Sequence, residues 1–132
     1  MAGVNTIHIA SAIITRPDGR ALLVRKRGAT AFMQAGGKID AGETPAEALA
    51  RELGEELNLT IAPDAARFVG RFEAPAANEP DHVVIAEIFR LEVADMPLSP
   101  AAEIEEIRWI DPKAPGALPL APLTRDHILP KV

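Results

Sequence analysis

The sequence predicts a single mixed α/β domain over residues 1–132, with strands before and after one dominant helix. Three observations predict it. A loosely alternating run rich in Ile and Ala opens the chain, a fully signalled helix follows, and the longest β-type run comes after that helix. The opening run, Asn5–Thr15, reads as the first strand. Arg16-Pro17-Asp18-Gly19 then marks a turn, because Pro pre-sets φ and Gly accepts a positive φ. Residues 21–27 read as a second strand that ends in basic side chains. Ala35-Gly36-Gly37-Lys38 reads as a glycine loop leading towards the helix.

The helix start carries three agreeing signals: Thr44-Pro45-Ala46-Glu47 is a capping box with Pro at the first helical position. Asn58 ends it, since Asn tolerates the left-handed conformation on which helices often stop. Residues 82–93 form the long β-type run, with shorter ones at 67–72 and 108–110. Most of the twelve prolines fall from Pro75 onward. Residues 112–122 are therefore expected to be an irregular, packed connection, followed by a short helix near 123–129.

Composition narrows the class. Hydrophobic residues make up 48% and charged residues 25%, an ordinary globular balance for one domain of 132 residues. No apolar run approaches the roughly 18 residues of a membrane span, and the first eleven residues lack the pattern of a signal peptide. The expectation is a cytoplasmic protein without a membrane partner. The absence of cysteine excludes a disulfide framework and a thiolate metal site or nucleophile. A net charge of −5 argues against a nucleic-acid polymer as partner. That charge is concentrated: residues 37–59 hold Asp40, Glu43, Glu47, Glu52, Glu55 and Glu56 against Lys38 and Arg51.

At about 100° per residue, Glu55 and Glu56 lie at about −60° and +40° from Glu52, so the three carboxylates share one arc. Ala46, Leu49, Ala50, Leu53 and Leu57 form a separate stripe suited to a core. Like charges three and four residues apart repel by a few tenths of a kcal/mol per pair. Arg51 can offset some of this through Glu47 and Glu55, and a hard divalent cation among the carboxylates would turn repulsion into binding. An acidic helix face is more often only solvated. The flanks decide otherwise: Gly36 and Gly37 let the backbone approach a ligand and offer carbonyl oxygens.

The whole stretch resembles the Nudix box, at residues 37–59. Its polar and glycine positions are met by Gly37, Glu43, Arg51, Glu52, Glu55 and Glu56, with Leu53 and Leu59 at the aliphatic positions; Asn58 stands where the family has Gly. The basic strand before the box, Phe32-Met33-Gln34 leading into the glycines, and the segment around Trp109 also look like the family. The resemblance implies an α/β/α sandwich around a mixed, partly curled sheet. It implies Mg²⁺- (or Mn²⁺-) dependent hydrolysis of a phosphoric anhydride bond in a nucleoside diphosphate linked to another group.

Carried over residue by residue, Glu52, Glu55 and Glu56 match metal ligands and the Gly37 carbonyl a further one. Glu43 and Arg51 match the pair that braces the loop. Arg25 and Arg27 stand where phosphate could be reached, a solvated edge being equally open to them. Relatives of the MutT type take a further acid from the loop before the last core strand. Glu103 has a similar offset here, so Glu52, Glu55 and Glu103 form the expected catalytic set, with Glu105 and Glu106 as other choices for the loop acid. His8, His82 and His127 show no ligand spacing. An isomerase of the isopentenyl diphosphate type would need the cysteine this chain lacks. A non-catalytic nucleotide-sensing domain of the same fold is the alternative, although such domains commonly lose box carboxylates. Pro75 resembles a proline of ADP-ribose pyrophosphatases. The substrate is expected to be a small nucleotide derivative, and a homodimer is left open.

Overall fold

The computed structural model describes residues 5–76 and 79–132. The expected single domain of 1–132 therefore includes six positions outside the described residues. The chain runs β1 (Asn5–Thr15), β2 (Ala21–Lys26), β3 (Ala35–Lys38), α1 (Pro45–Leu57), β4 (Arg67–Pro75), β5 (His82–Glu92) and β6 (Ile104–Ile110). It closes with two short helical turns, Thr124–Ile128 and Leu129–Lys131.

The six strands make one mixed sheet in the order β4-β5-β1-β2-β6, with β3 also paired to β1. β1 is its axis. Along one edge it pairs with β5 in parallel over its whole length, from Asn5 opposite His82 to Thr15 opposite Glu92. Along the other edge it forks. Ile9 to Ala12 pair antiparallel with β3, whereas β2 meets β1 only at Thr15 opposite Ala21. Met33 exchanges two backbone hydrogen bonds with Val24, of 2.8 and 2.9 Å, so the segment entering β3 fills the fork and curls the sheet.

Strand alternation sorts the core into layers. Ala10, Ala12 and Ile14 of β1, Leu22 and Val24 of β2, and Phe89 and Leu91 of β5 pack with Leu49, Leu53 and Leu57 of α1. Their neighbours Ile13, Ala86 and Ile88 face the other way, onto Leu123 and Ile128. The predicted sandwich is thus present, with α1 on one face and the terminal turns on the other. Alanines at the centre of β1, both fully buried, allow α1 to come close.

The helix has the predicted ends. Thr44 accepts from the Glu47 backbone while Glu47 Oε1 accepts from the Thr44 backbone, and Asn58 is left-handed at φ 53°. The apolar stripe differs from the expected one in one respect: Ala48 and Glu56 are buried along with the three leucines, whereas Ala46 and Ala50 are only partly covered. The acidic arc therefore runs from buried Glu56 through partly buried Glu52 to exposed Glu55. β3 is a strand where a loop was expected, and β4 and β6 run longer than the short runs predicted.

The left-handed cap yields a first prediction. Asn58→Gly should hold or raise the melting temperature, whereas Asn58→Val should lower stability by about 1–2 kcal/mol, because a β-branched side chain without asparagine's local hydrogen bonding is strained in that conformation. Thermal unfolding of both variants followed by circular dichroism measures the difference.

Candidate functional site

Neither residue of the glycine pair has room for a side chain, Gly36 because it lies against β1 and Gly37 because it lies under Glu52 of α1. A Cβ on Gly36 (φ 144°) would sit 2.1 Å from the Ala10 carbonyl oxygen, and one on Gly37 would sit 2.5 Å from Glu52 Cδ. The Glu52 carboxylate thus rests directly on Gly37. Next to it, Glu56 is 1% exposed, and its Oε1 accepts a 3.0 Å hydrogen bond from the Gly36 N–H. Its other oxygen, Oε2, is the only buried side-chain oxygen or nitrogen without a partner among the described residues. Burial pushes the Glu56 carboxyl up to about 7, with the nearby charges of Glu52 and Glu103 acting in the same direction. Glu52 is also raised, first by burial, against the pull of Arg51. Glu55 is half exposed at the rim.

Arg51 organises this charge. Its Nε and Nη2 donate to Glu43 at 2.8 and 2.9 Å, its Nη2 also to the Lys38 carbonyl at 3.0 Å, and its Nη1 to Glu52 at 2.9 Å. Contacts of 3.4 Å reach Asp40 and Glu55. The hydrogen bonds from Arg51, helped by the Asp40 N–H, bring the Glu43 carboxyl down to about 2. Glu47, expected to help balance Arg51, is engaged instead in the helix cap.

The basic strand end is arranged differently from the alternation expected at 21–27. A bulge between Arg25 and Lys26 shifts the register of β2 against β6. Arg25 donates to Glu106 and to the Ala29 carbonyl, both at 3.2 Å, and Arg27 is an exposed partner of Glu105. Lys26 is the cation turned towards the acidic cluster: it lies 3.5 Å from Glu103, and its charge acts on Glu56. It borders a cavity of about 110 Å³ together with Gly36 and Gly37. The residue numbers alone could not show this, because a bulge is invisible to a period-2 reading.

Glu103 lies where its charge raises both Glu52 and Glu56. Its loop is pinned by Ala101 N donating to the Glu56 carbonyl and by Arg27 N donating to the Glu103 carbonyl, both at 2.8 Å. Glu105 is spent on Arg27, while Arg108 and then Arg25 hold Glu106 below the usual carboxylate range. His8 binds Glu87 at 2.6 Å and His82 the Pro80 carbonyl at 2.7 Å, both outside this cluster. A cleft of about 810 Å³ lies at the far end of β1, where Arg16, Arg20, Arg90 and Lys113 are interspersed with Asp18, Glu92 and Asp111. It holds none of the box residues.

The donors suit a hard divalent cation: carboxylate oxygens beside a glycine backbone, with one buried oxygen lacking a partner. In their present rotamers no three acidic or histidine side chains among the described residues gather around one point. Glu52 and Glu55 turn to Arg51, and Glu56 turns to the Gly36 N–H.

Glu56 gives a pH prediction for the metal-free protein. Its folded pKa of about 7 lies above the ordinary 4.5, so the folded state retains a proton that the unfolded chain releases. Stability is therefore lost as pH rises from 4.5 through about 7, by a few kcal/mol at most. Glu56→Gln keeps an acceptor for Gly36 and removes the titration. In chelator at pH 8 it should melt above the wild type, and the gap should close towards pH 4.

Comparison with known proteins bears on the family and the fold. The family model described as the NUDIX domain matches residues 7–132. An 8-oxo-dGTP diphosphatase of Haemophilus influenzae is 42% identical over 57 residues, which are 40% of this chain and 42% of that protein. The match thus spans less than half of that relative's length. A MutT NUDIX hydrolase crystal structure from Burkholderia pseudomallei superposes with a TM-score of 0.80 at 23% identity, covering 97% of this chain and 98% of the other. The solution structure of the E. coli ORF135 protein gives 0.72 at 26% identity, covering 96% and 88%. With the box residues gathered between α1 and β3, and the family model matching nearly the whole chain, the protein belongs to the NUDIX family.

Proposed function

We propose that the chain hydrolyses a phosphoric anhydride bond in a nucleoside diphosphate derivative, with Mg²⁺ or Mn²⁺ as cofactor. The observation that carries this reading is the Glu56 carboxylate, buried beside Glu52 and the glycine pair with one oxygen unpartnered. A buried, unpaired carboxylate oxygen costs on the order of 1–3 kcal/mol or more. A purely structural helix would gain by replacing Glu56 with an apolar residue. The related 8-oxo-dGTP diphosphatase supports the anhydride chemistry.

Glu52, Glu55 and Glu56, with the Gly37 carbonyl, would hold the cation. When bound, Mg²⁺ supplies charge neutralisation at the phosphate oxygens and lowers the pKa of a coordinated water. The chain's own residues do the rest. Arg51 and Glu43 keep the glycine segment against α1, so that the Gly37 carbonyl and Glu52 stay together. Lys26 takes the phosphate-binding role for which Arg25 and Arg27 were candidates, since Lys26, unlike either arginine, borders the cavity beside Gly36 and Gly37. Glu103 accepts the proton of the attacking water, whose oxygen bonds to phosphorus as the bridging P–O bond breaks and the second phosphate departs. Retention of every box carboxylate favours catalysis over nucleotide sensing.

Two predictions follow from this set of roles. Glu52→Gln should fold as the wild type does and lose at least about 100-fold in kcat at saturating Mg²⁺. Steady-state phosphate release on a nucleotide panel, with and without chelator, tests it; near wild-type turnover would refute the metal assignment. Glu103→Gln should cost about 10²-fold or more in kcat and remove the acidic limb of the pH–rate profile. A loss below about threefold with an unchanged profile would move the proton acceptor elsewhere.

A further inference from the structure

Beyond the glycine pair, the cavity at Lys26 meets a second, of about 60 Å³, which runs towards the terminal helical turns; Ser11 and Gln34 border both. Its walls are apolar, formed by Ile9, Met33, Val84, Leu123 and the rigid ring of Pro75. Its polar members are buried: Ser11 is 3% exposed, Gln34 6% and Thr124 0%. Three buried polar side chains in an otherwise apolar pocket are costly unless each finds a partner. Within this group one hydrogen bond is made, from Thr124 Oγ1 to Gln34 Oε1 at 2.9 Å. It fixes the plane of the amide. The NH₂ group and the second lone pair of Oε1 are left as an adjacent donor and acceptor at the cavity.

We propose that Gln34 is a specificity-determining residue, whose amide edge pairs with the donor and acceptor of the substrate's heterocyclic base while the ring packs between the apolar walls. This rests on the reading of the site as a nucleotide pyrophosphohydrolase and assigns the base-reading end of it. Gln34 and Gly37 are three residues apart along an extended segment, about 10 Å at strand rise. One stretch of chain therefore handles the ring at one end and the phosphates at the other. Thr124 is a positioning residue that orients the amide. Anchoring the terminal turns does not need an amide, because Leu123 and Ile128 already pack into the sheet.

The test separates recognition of the base from hydrolysis. Binding of AMP, GMP, CMP and UMP is titrated by calorimetry in chelator, for the wild type, Gln34→Leu and Gln34→Glu. KM and kcat are then measured on the corresponding nucleoside triphosphates with Mg²⁺. The wild type should spread the four Kd values by at least about tenfold, and Gln34→Leu should compress the spread to within about threefold. KM for the preferred nucleotide should rise about tenfold or more, with a much smaller change in kcat. Gln34→Glu keeps the acceptor for Thr124 and deletes the NH₂ donor, so it should reorder the preferences, and it serves as the test if Gln34→Leu does not fold. Equal affinity of the wild type for all four, no binding of any, or the same spread in the variants overturns the proposal. A wild type that binds selectively but cleaves no anhydride overturns the hydrolase reading and leaves Gln34 standing.

Discussion

The close approach of α1 to β3 is the constraint on which the rest of this structure depends. Gly36 lies on β1 without room for a side chain, and Gly37 lies under Glu52 without room for one either. Alanines in the middle of β1 give the helix its depth, and the buried hydrogen bond from the Gly36 N–H to Glu56 joins helix and strand at their nearest point. Move the helix outward and Glu52 loses its seat, Glu56 regains water, and the loop acid no longer shares their field. Packing and chemistry here are one geometry.

That geometry brings together charges that would otherwise keep apart. Burial and the charge of Glu103 raise the proton affinity of both Glu52 and Glu56, Glu52 adds to that of Glu56, and Arg51 and Lys26 pull the other way at Glu52 and Glu56 respectively. The Arg51 guanidinium spans the loop acid Glu43, the Lys38 carbonyl and the helix acid Glu52, a planar fork that lysine could not reproduce. The site is therefore held under electrostatic stress by the fold, a familiar condition where function and stability make opposed demands.

Much of this was legible in the residues because local signals and the global fold agree. The capping box, the left-handed Asn58 and the long β5 run all specify conformation within a few residues, and they stand in the structure as expected. What was not legible depends on partners distant in the chain. Ala35–Lys38 has no strand pattern of its own and becomes β3 because β1 pairs with it. Glu56 sits at the border of the helical arc, and only the position of β3 decides that it is buried. The turn of Lys26 towards the acidic cluster goes with a bulge in the β2–β6 pairing. Gln34 carried no signal beyond its place before the glycines, and the terminal turn that brings Thr124 to it lies 90 residues away.

The same axis strand sets an order on how the domain is made. β3 and α1 follow β1 closely in sequence, so the layer they form with it can assemble from contacts of moderate range. The parallel ladder with β5 joins Asn5 to His82 and cannot close until most of the chain is available. Long loops must be closed before such pairing returns any stabilisation, which makes parallel ladders slow to form. During that interval the outer edge of β1 is an open row of N–H and C=O groups beside buried-type apolar residues. The layer of β1, β3 and α1 can thus form before β5 covers the edge of its central strand, whereas Glu103 and Thr124 lie beyond β5 and join that layer later.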